Sequence, residues 1–115
     1  MMKATELMEI LEGRLLCGEL PEEEIEAGCG SDMMSDVLAF SKDKMVLLTG
    51  LTNTHVVRTC EMLDVLMIVF VRGKIPGEDV LEMAIDRGIT VASTGCTLYE
   101  ACGKLYAKGL MGYRR

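Results

Sequence analysis

Small and polar residues follow the apolar runs of this chain, and their types suit the binding of an anion. The candidate ligand-binding residues, grouped by segment, are Ser31 and Asp32; Thr49, Gly50, Thr52 and Asn53; Arg72, Gly73 and Lys74; and Ser93, Thr94, Gly95 and Thr97. Arg72 and Lys74 directly follow the most apolar run of an acidic chain, where two cations can neutralise a phosphate or carboxylate. These residue types also form turns, helix caps and solvated loops. The sequence therefore predicts a polar or anionic ligand, with a purely structural use of these residues as the alternative.

The apolar runs themselves predict how these segments are brought together. Runs at 45–48, 66–71 and 89–92 each end at a polar turn, and a stretch of helical period follows each turn. This alternation is typical of strands covered on both faces of a parallel sheet. We expect a three-layer α/β/α fold with a mostly parallel sheet of about four or five strands, and the 66–71 run in its middle. Loops at the carboxyl ends of such strands share one rim, so the candidate residues should converge there.

The remaining elements are predicted from periodicity and capping residues. In chain order they are a helix over 6–12 capped by Thr5 and ended by Gly13, strands at 14–17 and 25–30, a helix over 33–40 capped by Ser31 or Asp32, a helix from the 49–53 turn to about Leu63, a helix starting near Pro76 and ended by Gly88, and a helix from the Thr97–Glu100 capping box to Gly109.

Length and charge limit the class of protein. The chain has 115 residues, half of them hydrophobic, which fits one domain over 1–115. A net charge of -6 without a dense Lys/Arg cluster argues against nucleic acid, and the final Tyr113-Arg114-Arg115 is too short to change this. No run approaches the roughly 20 apolar residues that span a bilayer, and the N-terminal residues do not resemble a signal peptide. We expect a cytoplasmic protein without a membrane partner.

The cysteines and glycines match none of the familiar cofactor motifs. The five cysteines include no Cys-x-x-Cys pair, so they are interpreted as reduced structural thiols, and no metal is expected. Neither Gly-x-x-x-x-Gly-Lys-Ser/Thr nor Gly-x-Gly-x-x-Gly is present, which disfavours those two modes of nucleotide binding. No cofactor is predicted.

Two residues keep a catalytic alternative open. His55 is the single histidine, one turn into a predicted helix, and Cys96 stands near a helix start, where a thiol pKa can be lowered. An enzyme for a phosphorylated or acyl substrate would combine one of them with Arg72 as an anion clamp. The sequence arranges no set of nucleophile, base and carboxylate around either residue, so we expect a protein without catalytic activity.

Several segments together resemble the DRTGG domain family, in its short stand-alone form. They are Ser31–Leu38, Leu47–Leu51, Val57–Asp64, Val71–Pro76 and Ala101–Tyr106. The family is similar to the N-terminal domain of HPr kinase/phosphorylase, and its members occur beside CBS domains and in some phosphotransacetylases. The resemblance implies an accessory α/β/α module that senses or docks.

The chain departs from the family pattern at one motif. Many members carry Gly-Asp-Arg where this chain has Leu51-Thr52-Asn53, and the family's later Thr-Gly-Gly corresponds to Val71-Arg72-Gly73. Any role of that Asp-Arg pair therefore does not carry over to Thr52 and Asn53.

The leading hypothesis is a non-catalytic regulatory domain that acts as a homodimer. Its expected partner is a small anionic metabolite or nucleotide, or a protein. The alternatives are the small enzyme described above and a purely structural protein whose Met-rich surface packs against itself or a larger complex.

Overall fold

Helices and strands alternate along the chain in a computed structural model that describes residues 1–112. The basic residues 113–115, considered above, lie outside the described part. The elements in order are α1 (Ala4–Leu11), β1 (Arg14–Cys17), β2 (Ala27–Gly30), α2 (Met34–Ala39), β3 (Met45–Thr49), α3 (Thr54–Glu61), β4 (Val65–Phe70), α4 (Glu78–Asp86), β5 (Thr90–Ser93) and α5 (Leu98–Ala107).

The described strands form one five-stranded sheet in the order β1-β5-β4-β3-β2. Strands β2, β3, β4 and β5 are parallel, and β1 pairs antiparallel with β5 at the edge. The predicted mixed α/β class and mostly parallel sheet are confirmed. The most apolar strand, β4, lies in the centre, where both of its faces are covered.

Helices cover both faces of the sheet. Alternate residues of β3 point to opposite sides: Val46 and Leu48 pack with α1 and α5, whereas Met45 and Leu47 pack with α2, α3 and α4. Both groups are fully buried, as a strand between two helical layers requires. This confirms the three-layer arrangement.

Two capping predictions are wrong. Thr5 lies inside α1, which begins after Lys3, and Glu12 in the left-handed conformation ends that helix one residue before Gly13. Neither Ser31 nor Asp32 caps α2, since Met33 holds the N-cap position without a side-chain bond. The Ser31 hydroxyl instead accepts a hydrogen bond from the Met33 N–H. Asp32 accepts one from the Gly50 N–H in the loop after β3, a buried donor that would lose this partner if Asp32 capped α2.

The predicted N-cap at Thr97 is confirmed, and Glu100 bonds the Thr97 hydroxyl instead of the Thr97 N–H. The Thr97 hydroxyl accepts from the Glu100 N–H at 3.2 Å and donates to the Glu100 carboxylate at 3.1 Å. This bond closes the first turn of α5 and fixes where the helix leaves the β5 loop.

Close packing of α5 on the edge strand β2 depends on Gly30. A Cβ added at Gly30 would overlap Cys102 Sγ and would lie 3.3 Å from Leu98 Cδ1. We expect Gly30→Ala to lower the free energy of unfolding by about 1–2 kcal/mol, because the extra methyl group overpacks this contact. Urea denaturation measures the change. Gly95→Ala is the matched control, since a Cβ there meets no atom within 4 Å, and equal stability of the two variants would contradict this packing.

Among residues 1–112, no helix combines the length and the apolar character that a membrane span requires.

Candidate functional site at the carboxyl edge of the sheet

Asp32 joins the loop after β2 to the loop after β3. Its Oδ1 accepts a hydrogen bond from the Gly50 N–H at 2.7 Å and another from the Thr49 hydroxyl at 3.0 Å. The same threonine hydroxyl accepts from the Leu51 N–H at 3.1 Å, which shapes the turn that leads to α3. An exposed carboxylate thus organises two buried donors at the rim.

The loop after β4 brings two cations to the same place. Lys74 Nζ donates to the Gly50 carbonyl at 2.9 Å. A Cβ added at Gly50 would lie 2.8 Å from Arg72 Nη2 and 3.5 Å from each Asp32 carboxylate oxygen. The Arg72 guanidinium and the Asp32 carboxylate therefore both border the face of Gly50, which has room for them because it lacks a side chain.

The backbone of the β4 loop is held in an unusual conformation. Arg72 has φ +59°, in the left-handed region that costs a residue with a side chain about 1–2 kcal/mol, and Gly73 follows with φ +67°. The Arg72 N–H donates to the Cys96 carbonyl and the Gly73 N–H to the Thr94 carbonyl, both at 2.8 Å. These bonds fasten the β4 loop to the β5 loop and project the Arg72 side chain over the rim.

Thr94 links the loop after β5 to the last residue of α1. Its buried hydroxyl donates to the Leu11 carbonyl at 2.6 Å and accepts from the Cys96 N–H at 3.2 Å. Thr49 is equally buried, with its hydroxyl engaged as described. These two threonines are part of the scaffold, whereas Asp32, Arg72 and Lys74 are exposed. The exposed groups comprise one carboxylate and two cations, a balance that suits an anion bearing a hydrogen-bond donor.

The candidate residues divide into those that join this network and those that do not. Direct hydrogen bonds or close contacts at the rim join Asp32, Thr49, Gly50, Arg72, Gly73, Lys74 and Thr94.

The other candidates have different surroundings. Ser31 bonds Met33 locally, Ser93 is buried in β5, Thr97 caps α5 and Gly95 is exposed. In the loop before α3, Asn53 holds the N-cap position without a side-chain cap bond. Thr52 is half-buried in that loop, and no side-chain hydrogen bond of Thr52 is seen within residues 1–112.

His55 and Cys96, the residues of the catalytic alternative, lie on different sides of the sheet. His55 is exposed on α3, the layer that packs with α2 and α4. Cys96 packs with the α1 and α5 side, and Lys104 Nζ lies 3.5 Å from its Sγ. Lys104 was not among the predicted site residues, and helix spacing does not indicate this contact, because Cys96 precedes α5 and lies eight residues before Lys104.

Burial protects most thiols on the described chain. It raises the pKa of Cys17, Cys29 and Cys102, and it raises that of Cys60 from 9.0 to about 12, with a smaller contribution from nearby Cys29. Because the thiolate is the reactive form, Cys60 should resist labelling in the folded protein.

Cys60 should also make stability depend on pH in alkali. Its pKa is higher in the folded chain than in the unfolded chain, so its contribution is complete below about pH 9. Above that pH the contribution falls by about 1.4 kcal/mol per pH unit until about pH 12. We expect the stability difference between wild type and Cys60→Ala, measured by urea denaturation, to shrink by about 1 kcal/mol from pH 9 to pH 10, since the unfolded thiol is only half ionised at pH 9. A difference that does not change with pH would contradict the burial of this thiol.

Two concavities lie away from the rim. An apolar cavity of about 150 Å³ lies between β2 and α5 and is lined by Gly28, Leu48 and Leu105 among others. A polar concavity of about 350 Å³, with Glu61 and Arg87 in its wall, lies at the opposite edge of the sheet. At the rim, the side chains of Asp32, Arg72 and Lys74 are exposed. Within the described part of the chain, no group of three or more His, Cys, Asp or Glu residues is placed to hold a metal ion.

The fold and the rim define an α/β domain with polar loops gathered at one edge. A comparison of the sequence with protein-family models finds no match, and neither does a comparison with curated proteins.

Among solved structures, the chain is similar to the CBS and DRTGG domains of the regulatory region of Clostridium perfringens pyrophosphatase, in a crystal structure complexed with the activator diadenosine tetraphosphate. The TM-score is 0.71 and the sequence identity 14%; the match covers 90% of this chain and 45% of that one. This chain therefore corresponds to less than half of the matched chain. At this identity the likeness concerns the fold, and it supports a DRTGG-like architecture.

Proposed function

We propose that this chain is a non-catalytic regulatory domain that binds a small anionic ligand at the carboxyl edge of its sheet. The proposal covers residues 1–115 as a single domain of DRTGG type, related to the N-terminal domain of HPr kinase/phosphorylase. It includes a homodimeric state and a cytoplasmic location. Nucleic acid and membranes are not proposed as partners, because the chain is acidic and lacks a dense basic cluster.

One observation carries the proposal: four successive strand-to-helix junctions are bonded together at one rim. Asp32 bonds Gly50, Lys74 bonds Gly50, and the Arg72 backbone bonds Cys96. Within this network, Arg72 in its strained conformation lies beside the Asp32 carboxylate, and both side chains are exposed. Strain of this kind persists where the surroundings fix it, and it is concentrated at ligand-binding sites.

The solved neighbour suggests which ligands to test first. The matched regulatory region was crystallised with its activator diadenosine tetraphosphate, which is an anionic nucleotide. We infer that phosphorylated nucleotides belong at the head of a ligand panel for this chain. The mixed charges of the rim support this choice, since Arg72 and Lys74 can meet phosphate while Asp32 accepts a hydrogen bond from a hydroxyl or amino group.

Thermal unfolding with a panel of ligands tests the proposal. The panel contains diadenosine tetraphosphate, mononucleotides, phosphorylated metabolites and acyl phosphates, each compared with potassium chloride at equal ionic strength. A ligand at a hundredfold excess over its dissociation constant stabilises the folded chain by about 2.7 kcal/mol. We expect at least one member to raise the melting temperature beyond the salt control.

The same assay identifies the result that contradicts the proposal. Wild-type protein that responds to no member of the panel would remove the ligand-binding function. A response retained in full by the Arg72→Ala and Lys74→Ala variants would place the site elsewhere.

A further inference from the structure

The outer face of α5 is apolar at its centre, which is unusual for a surface helix. Tyr99 and Tyr106 are 89% and 60% exposed, and with Cys102, Gly103 and Ala107 they form a shallow apolar groove. Surface helices normally carry charged residues opposite the core, and an exposed apolar patch is typical of an interaction site.

Gly103 lies in the middle of α5 and at the centre of this face. A Cβ added there would meet no atom within 4 Å. Glycine in a helix interior is destabilising relative to alanine, so packing within the described chain provides no reason for it. Glycine at such a position allows another backbone to approach closely.

The neighbouring helix α1 complements α5 in charge. The two helices pack side by side on the same face of the sheet. Exposed acidic residues predominate on α1 and its C-cap, at Glu6, Glu9 and Glu12 beside the N-cap Lys3, whereas α5 and its C-cap expose Lys104 and Lys108 beside Glu100. A two-fold axis that lies over this layer, parallel to the two helices and midway between them, would place each α1 opposite the other copy's α5, so that the acidic helix faces the more basic one.

We propose that a second copy of this chain docks on the layer formed by α1 and α5, with Tyr99, Gly103 and Tyr106 at the centre of the interface. This names the surface for the homodimer proposed above and does not depend on the ligand.

Multi-angle light scattering over a range of concentrations tests the surface. We expect wild type to have twice the mass of one chain. Tyr99→Glu should raise the dissociation constant of the dimer roughly tenfold or more, because a charge replaces a central aromatic residue opposite an acidic helix. Ile85→Glu is the matched control: Ile85 is exposed on α4, on the other face of the sheet, and this variant should remain dimeric.

Gly103→Ala provides a second test that folding defects cannot imitate. We expect it to raise the melting temperature of the dilute single chain, since alanine favours the helix, and to weaken association, since the methyl group keeps the helices apart. A monomeric wild type, a Tyr99→Glu variant that dimerises normally, or an Ile85→Glu variant that alone dissociates would overturn the proposed surface. The masses are measured without ligand. A monomeric wild type would therefore contradict the interface but not the ligand site, and a ligand panel without any response would contradict the ligand site but not the interface.

Discussion

Replacing Arg72 by glycine should weaken ligand binding roughly 10- to 100-fold while leaving the chain equally stable or more stable. The loss follows from removing a charge-assisted hydrogen bond to the ligand, worth about 1.5–3 kcal/mol. The gain follows from the positive φ at this position, which glycine adopts without steric cost. A residue kept for packing would show the opposite pattern, in which binding and stability are lost together.

Lys44→Gly is the matched control for that experiment. Lys44 also has a positive φ, of 52°, and a cationic side chain, and it precedes β3 at the opposite edge of the sheet. Its ion pairs with Glu23 and Glu26 are exposed and contribute little. Isothermal titration with the ligand found by the panel should show unchanged affinity in Lys44→Gly. Equal affinity in Arg72→Gly and wild type would remove Arg72 from the site.

Replacing Asp32 by alanine should lower the free energy of unfolding by about 2–3 kcal/mol. The substitution removes the acceptor of the Gly50 N–H and the Thr49 hydroxyl, and both donors are buried. A buried donor without a partner costs about 1–3 kcal/mol, and hydrogen bonds to charged groups are at the stronger end. The loops after β2 and β3 would separate, so ligand binding should weaken as well.

Asp36→Ala separates this effect from the general loss of an acidic residue. Asp36 is an exposed carboxylate in the first turn of α2, four residues from Asp32. Urea denaturation should show a change of within about 0.5 kcal/mol for this control, as for surface substitutions in general. If Asp32→Ala is as mild as Asp36→Ala, the carboxylate does not hold the two loops together.

The fold was predictable because its signals are local and repeated. The runs at β3, β4 and β5 are continuously apolar, which only burial on both faces explains, and β4 is central as its composition predicts. The rim followed from topology, since parallel strands bring their carboxyl ends to one edge. The resemblance to the DRTGG family agreed with the fold of the matched regulatory region.

The detailed site was not predictable because its contacts join residues far apart in the chain. The sequence predicts Ser31 or Asp32 as the cap of α2, yet the Asp32 carboxylate bonds Gly50, and periodicity contains no information about that pairing. The positive φ of Arg72 accompanies tertiary hydrogen bonds from the Arg72 N–H to Cys96 and from the Gly73 N–H to Thr94, and the arginine itself does not indicate that conformation in the sequence. Lys104 reaches Cys96 only because α5 begins where the β5 loop ends.

A titration followed by ¹H–¹⁵N correlation spectra tests the central claim most directly, with diadenosine tetraphosphate as the first ligand. The account predicts saturable shifts of the backbone amides of Asp32, Gly50, Arg72 and Gly73, and smaller changes at the opposite edge around Glu61 and Arg87. Saturable shifts confined to that opposite edge or to the cavity beside Gly28, or no saturable shift with any ligand of the panel, would contradict it.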